Sequence, residues 1–200
     1  MRSERVFSVI ILAGGRSQRV GREKALLPWG GRTLIEHIVA QCRRWSDDVL
    51  VTSGDRVRYQ EILDVPIFAD AIRDIGPMGG LYTGLKHARY EYSLAVACDM
   101  PFITRAVIDL LRAELDGSVW AVVPKIEGHR VPTFALYHKK CLSVIEQLLA
   151  QRCTSPLALL DAVPIAIVPE ERFRAVDPTL RSFTNINTLQ DWERSLKLSL

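Results

Sequence analysis

The sequence predicts an α/β fold, a mostly parallel sheet with helices on both faces in three layers. Three observations carry that expectation. Short apolar runs recur at 6–12, 49–52, 65–69, 93–97, 119–123, 132–137 and 165–168. Segments with apolar residues at helical spacing separate most of them, and the alternation fits parallel strands joined by crossover helices. The 200 residues and apolar fraction of 48% suffice for one buried core, and no linker, repeat or low-complexity segment interrupts them. Residues 1–200 are therefore expected to form a single domain.

The first strand is read at Val6–Leu12. Thr33 and Glu36 have the spacing of a capping box, starting a helix with Leu34, Ile35, Ile38, Val39 and Cys42 on its apolar side. A strand at Val49–Thr52, a polar helix at Arg56–Leu63 and a strand at Val65–Ala69 follow. Gly76-Pro77 opens another helix, with proline at the first helical position, where its missing N–H costs nothing. The small residues Gly79, Gly80, Thr83 and Gly84 let this helix lie close to another backbone or a ligand. After the strand Ser93–Ala97, Thr104 is expected to cap a helix with Ala106, Val107, Leu110, Leu111 and Leu115 on its apolar side. Strands at Val119–Val123 and Pro132–Tyr137 precede a helix marked by Leu142, Ile145, Leu148 and Leu149. A short helix begins at Ser155-Pro156, and a strand spans Ile165–Val168. Thr188 with Asp191 caps a last helix carrying Leu189, Trp192 and Leu196.

Composition narrows the function. A net charge of +3 is too weakly basic to argue for nucleic acid. No apolar run reaches the length of a membrane span, and the run after Met1-Arg2-Ser3-Glu4-Arg5 is too short for a signal peptide. Cys42, Cys98, Cys141 and Cys153 form no Cys-x-x-Cys pair and have no histidine at metal-ligand spacing. They fit a reducing compartment, with Cys42 and Cys141 as packing residues. The expectation is a cytoplasmic protein whose partners are neither nucleic acid nor membrane.

The chemistry collects where strands end. The run Val9–Leu12 enters Ala13-Gly14-Gly15, and Arg16, Arg19, Arg22 and Lys24 follow within nine positions, with Glu23 the one acid among them. Glycines let a backbone approach a ligand closely, and N–H groups with basic side chains neutralise phosphate. Neither the dinucleotide fingerprint nor the Walker loop is present. The loop predicts a nucleoside triphosphate.

In open α/β sheets ligands bind beyond the carboxyl ends of the strands. Thr52 and Ser53, Asp70, and Cys98-Asp99-Met100-Pro101 fall there with the glycine loop. Asp99 ends an apolar strand, where a carboxylate is costly unless paired or metal-bound. An Asp near Pro is commonly a cap or turn residue, but Thr104 takes the cap position, which favours a metal ligand. Mg²⁺ takes one or two carboxylates plus substrate phosphates. Asp70 shares that placement. His37, His87, His129 and His138 have no partner by spacing, and no nucleophile elbow appears. Phosphoryl transfer needs little beyond positioning and charge neutralisation.

The stretch Leu12-Ala13-Gly14-Gly15-Arg16-Ser17-x-Arg19-Val20-Gly21-x-x-Lys24-Ala25-Leu26-Leu27 resembles the signature loop of nucleotidyltransferases that act on the molybdenum cofactor. Further similarities run in order: Asp70, Gly76-Pro77-Met78-Gly79-Gly80-Leu81, Cys98-Asp99-Met100-Pro101-Phe102, Pro132–Tyr137 and Phe183-Thr184-Asn185-Ile186-Asn187-Thr188. They span nearly the whole chain, and the last resembles the guanylyltransferases of that family. The resemblance implies a Rossmann-like three-layer sandwich and transfer of GMP from GTP to molybdopterin or molybdenum-molybdopterin, with release of pyrophosphate. By matching positions, Leu12, Ala13, Gly14 and Gly15 would hold the nucleotide, with Thr52 and Asp70 on its nucleoside side. Lys24 and Arg19 would neutralise phosphate and Asp99 would bind Mg²⁺, these three forming the catalytic set. Asn185 and Asn187 would bind the acceptor. Molybdenum-insertion proteins and molybdoenzyme chaperones are the implied protein partners.

Gly14 leaves room for a purine, which favours GTP over CTP. Five places depart from the family pattern: Val20 for Met, Thr52 for Asn, Gly79 for Ala, Arg130-Val131 for an acidic residue or histidine before Pro132, and one arginine, Arg152, in Gln151-Arg152-Cys153-Thr154 where a pair is usual. Two other readings stay open, a related transferase using CTP or another phosphorylated acceptor, and a non-catalytic nucleotide or cofactor carrier.

Overall fold

Strand β1 (Ser8–Leu12) is buried at every residue, and the sheet is laid out on either side of it. The computed structural model describes residues 6–14, 24–55, 57–72 and 75–197. A hairpin of β2 (Pro28–Trp29) and β3 (Arg32–Thr33) leads into helix α1 (Leu34–Cys42). Then come β4 (Val49–Ser53), β5 (Ile67–Ala69), α2 (Pro77–His87), β6 (Tyr92–Ala97), α3 (Arg105–Ala113) and β7 (Ala121–Ile126). The chain continues through β8 (His129–Arg130), β9 (Phe134–His138), α4 (Cys141–Ala150), α5 (Pro156–Ala162), β10 (Ile165–Pro169), α6 (Glu170–Arg174) and α7 (Leu189–Lys197).

The main sheet has the order β10-β7-β9-β6-β1-β4-β5, with β8 paired to β7. β4 and β6 both run parallel to β1, and β5 runs parallel to β4. β9 is antiparallel to both β6 and β7. The chain thus steps outward from β1 to β4 and β5, then crosses back to β6 on the other side of β1. Such a reversal leaves a crevice at the carboxyl ends of the two central strands. Because β9 runs the opposite way, its beginning reaches that same edge.

Alternation along β1 divides the interior. Val9 and Ile11 join a core with α1, α3 and α6, onto which Trp192 and Leu196 of α7 pack. Ile10 and Leu12 join a second core with α2, α4 and α5. Both faces of the sheet are covered, as the expected three-layer fold requires.

Local signals explain several elements. The Thr33 capping box is formed: the Thr33 N–H donates to Glu36 Oε2 at 2.7 Å and the Glu36 N–H to Thr33 Oγ1 at 3.4 Å. All five apolar residues expected to face inward from α1 are buried. Before α7, the Asp191 N–H donates to Thr188 Oγ1 at 3.1 Å and the Thr188 N–H to Asp191 Oδ2 at 2.9 Å.

Other expectations are corrected. The polar helix at 56–63 is only a 3₁₀ turn, Val57–Tyr59. Just Tyr59, fully buried, and Leu63, 9% exposed, anchor it, too few contacts to offset the cost of nucleating a helix. In α3 the buried residues are Val107, Ile108 and Leu111, while Ala106 is exposed. Thr104 takes the N-cap position without a side-chain hydrogen bond to the helix. β8 and α6 had no sequence signal; β8 is two residues folded back by a turn with positive φ at Glu127 and Gly128.

The close approach expected of α2 is real. A Cβ on Gly84 would lie 2.3 Å from Ile10 Cγ2, and one on Gly79 would lie 2.7 Å from the Ile72 carbonyl oxygen. Gly84→Ala should therefore destabilise the protein by about 1–3 kcal/mol through overpacking, outweighing the gain in helix propensity of about 1 kcal/mol. Thermal unfolding followed by circular dichroism checks this. An unchanged or raised Tm would mean that α2 can move off β1 freely.

Candidate active site

At the carboxyl edge of the sheet the structure forms one cleft from seven parts of the chain. Leu12 and Gly14 end β1, Thr52 lies near the end of β4, and Asp70 follows β5. α2 supplies Gly76, Pro77 and Gly80, and Ala97, Cys98 and Asp99 end β6. Thr133 enters just before β9, and Asn185 comes from the segment before α7.

Hydrogen bonds hold these pieces. The Asp70 N–H donates to the Ser53 carbonyl at 2.9 Å, and the Ala71 N–H donates to Thr83 Oγ1 on α2 at 2.9 Å. The Asp70 carboxylate sits between two glycines. A Cβ on Gly14 would lie 3.5 Å from Asp70 Oδ2, and one on Gly80 would lie 3.7 Å from Asp70 Oδ1 and 2.8 Å from Thr52 Oγ1. Thr52 is 1% exposed. Among the described residues its hydroxyl and Asp70 Oδ1 are buried without a hydrogen-bond partner, which a native interior rarely tolerates unless a ligand completes them.

Lys24 and the C-terminal segment meet at Asp99. Lys24 Nζ lies 3.8 Å from Asp99 Oδ2 and donates to Asn187 Oδ1 at 3.1 Å. The Ile186 N–H donates to the Asp99 carbonyl at 2.9 Å, and the Ile186 side chain is fully buried. In extended chain, residues two apart share a side. With Ile186 anchored in the core, Asn185 lines the cleft and Asn187 meets Lys24.

Burial pushes the Asp70 carboxyl up to about 6, with no charge partner among the described residues opposing it. Burial also raises Asp99, and the Lys24 ammonium partly offsets that. Two such carboxylates beside unpaired polar atoms suit a ligand that brings N–H donors or positive charge. No cluster of three or more His, Cys, Asp or Glu occurs among the described residues. A Mg²⁺ ion would thus rest on one or two carboxylates and complete its shell from substrate phosphates and water, the usual habit of that ion. The donor set fits.

Of the expected site residues, Leu12, Gly14, Thr52, Asp70, Asp99 and Asn185 line the cleft. Lys24 and Asn187 flank it through Asp99. Ala13 is buried behind it, its N–H donating to the Thr52 carbonyl at 2.8 Å, and the Leu12 carbonyl accepts from the Cys98 N–H at 3.2 Å. Gly15 and Arg19 lie outside the described residues. Thr133 fell within the Pro132–Tyr137 resemblance but was assigned no role, because the direction of β9 is invisible in a local pattern. Pro77 and Gly80 stood within the Gly76–Leu81 resemblance, Gly80 as a small residue that admits a close approach, without an assigned site role. Three histidines are engaged elsewhere: His37 Nε2 lies 3.3 Å from the Pro101 carbonyl, His87 stacks on Phe68, and His138 Nε2 is 3.2 Å from Glu91.

This fold and site define a nucleotidyltransferase. Residues 9–163 match the MobA-like NTP transferase domain, and the chain belongs to that family. A probable molybdenum cofactor guanylyltransferase from Methanosarcina acetivorans is 35% identical over 199 residues, spanning 93% of this chain and 88% of the relative. A molybdenum cofactor guanylyltransferase from Desulfosudis oleivorans is 34% identical over 190 residues, spanning 93% and 92%. The crystal structure of molybdopterin-guanine dinucleotide biosynthesis protein A from Archaeoglobus fulgidus superposes with a TM-score of 0.84 over 96% of this chain and 98% of that one. At 24% identity that likeness speaks for the fold.

The raised Asp70 carboxyl has a consequence for stability. Its folded value of about 6 lies above the ordinary 3.8, so the folded state gives up this proton less readily than the unfolded chain. The stability it contributes is full below about pH 4 and lost as pH rises through about 6. Asp70→Asn should therefore raise the ligand-free Tm at neutral pH, with the gain shrinking as pH falls between about 6 and 4. Paired melting curves across that range check it; a gain independent of pH would contradict a carboxyl raised by burial.

Proposed function

We propose that the chain transfers GMP from GTP to a terminal phosphate of molybdopterin or molybdenum-molybdopterin, releasing pyrophosphate and forming the guanine dinucleotide form of the cofactor. The observation that carries this reading is the meeting of Lys24, Asp99 and Asn187 beside a cleft that also holds Asp70, Thr52 and Asn185. In this reading residues 1–200 act as one cytoplasmic nucleotidyltransferase domain. Its substrates are GTP and the pterin, and molybdenum-insertion proteins and molybdoenzyme chaperones are its protein partners.

Each residue has a role set by its chemistry. Asp70 and Thr52 face the base. A carboxylate accepts from two donors at once, which suits the N1–H and N2 amino groups of guanine. Leu12, Ala13, Gly14 and Gly15 line the nucleoside and phosphate path. Lys24, with Arg19, neutralises the triphosphate. Asp99 holds Mg²⁺, which when bound draws charge from the phosphates and favours departure of pyrophosphate. Asn185 donates its amide to the acceptor. The attacking phosphate is already an anion, so the reaction needs no strong base, and the cleft lining contains no histidine.

Pyrophosphate release by the purified protein with Mg²⁺ and molybdopterin tests the reading, comparing GTP, CTP and ATP. GTP should be preferred, and Lys24→Ala and Asp99→Asn should each lower the rate by about 10²–10³-fold, as removal of single electrostatic groups does. Preference for CTP would assign the cytidylyl reaction instead. Nucleotide binding without turnover would assign another acceptor or a carrier role.

A further inference from the structure

We infer that Asn187 acts on the nucleotide side of the site, as a positioning residue that holds the Lys24 ammonium ready for the triphosphate while leaving its charge unspent. The inference rests on the proposed nucleotidyl transfer and revises one part of it, since the resemblance alone implies an acceptor contact for Asn187.

The geometry separates two contacts of Lys24. At 3.8 Å the Asp99 carboxylate is an ion-pair neighbour of Lys24 Nζ, beyond hydrogen-bond range, whereas Asn187 Oδ1 accepts a hydrogen bond at 3.1 Å. The direction of the ammonium is therefore set by Asn187. A lysine carries three donors on a long flexible stem, so without such a hold it samples many positions. An ammonium only donates, so the amide oxygen of Asn187 must face it and the amide nitrogen must face away.

The choice of an amide has a chemical logic. A second carboxylate at this place would cancel the lysine's charge, whereas a neutral oxygen orients the ammonium and leaves its charge for phosphate. Holding Lys24 off Asp99 also keeps the Asp99 carboxylate open to a cation. The support for Asn187 is rigid. Ile186 is fully buried with its N–H on the Asp99 carbonyl, and the Asn187 N–H donates to Asp191 Oδ2 at 3.1 Å. These backbone bonds do not use the Asn187 side chain, so truncating it leaves the segment's anchors in place. Asn185 and Asn187 then divide the work: one faces the cleft, the other sets the lysine across 163 residues of sequence.

The test is nucleotide affinity without acceptor, measured by calorimetry with Mg²⁺ for whichever of GTP, CTP or ATP the wild type binds. Asn187→Ala should raise Kd about 10–20-fold, the low end of the scale of a hydrogen bond to a charged group. Lys24→Ala should raise it further, and adding Asn187→Ala to Lys24→Ala should change nothing more, because the two act as one unit. In turnover, Asn187→Ala should raise the KM for nucleotide and leave that for molybdopterin unchanged. Asn187→Ser, which keeps a shorter acceptor, should fall between wild type and alanine. Equal nucleotide affinity in wild type and Asn187→Ala, or additive losses in the double variant, overturns the inference while the guanylyl-transfer reading stands. Binding of CTP in place of GTP overturns that reading while the same comparison still decides the role of Asn187. A wild type that binds none of the three overturns both.

Discussion

The cleft depends on how closely α2 lies on β1 and β4. Two absent side chains permit it: Gly84 rests over Ile10, and Gly80 rests over Thr52 and Leu12. A methyl group at either place would push the helix outward, because a packed interior has no free volume to absorb it. The start of the helix would move with it. Gly76 takes a φ of +68°, open to glycine at little cost, and Pro77 occupies the first turn. No described side chain caps this end of α2, and Gly76 and Pro77 line the cleft, so the positive end of the helix dipole lies beside it. Thr83, one residue before Gly84, ties down the Ala71 N–H and so the loop that carries Asp70. One helix-on-strand contact thus sets the floor of the site, the position of a carboxylate and the aim of a helix terminus.

The charges placed on that floor are poorly satisfied. The exposed pairs Arg43–Asp64 and Arg89–Asp47 sit in solvent, where such pairs contribute little. Asp70 is different, half-buried beside a Thr52 hydroxyl that has no partner among the described residues, with no described cation against it. A residue chosen for stability alone would be apolar or paired there. Its cost in the empty protein is what a bound base with N–H donors would relieve, so the site trades stability of the free protein for affinity.

How much of this was legible in the sequence depended on whether the signal was local. The capping pairs Thr33–Glu36 and Thr188–Asp191 and the Gly76-Pro77 start are local, and each sits where the pattern put it. The failures come from tertiary context. Whether 56–63 makes a helix depends on how many of its side chains find a core. The face of α3 turns to bury Ile108 because β7 and β9 lie beneath it. The reversed direction of β9, which carries Thr133 to the cleft, is a property of pairing with β6 and β7 and leaves no mark on residues 132–137. Asp70 and Asp99 were visible as carboxylates at strand ends. The contact between Lys24 and Asn187 was not, since nothing within either segment refers to the other.

The two carboxylates of the cleft are set apart by their surroundings. Lys24 opposes the effect of burial at Asp99, and no described residue opposes it at Asp70. Paired acids whose environments differ take different roles. Asp99 keeps an ammonium neighbour that does not bond to it, which leaves its oxygens for a metal ion among phosphates. Asp70 lies between Gly14 and Gly80 with one oxygen unpartnered among the described residues, an acceptor edge suited to the neutral donors of a base. Exchanging the roles would put a metal ion away from the lysine that shares its phosphates, and would set the donors of a base against a carboxylate already shared with an ammonium. The proposed transfer uses each carboxylate for the task its neighbours leave open.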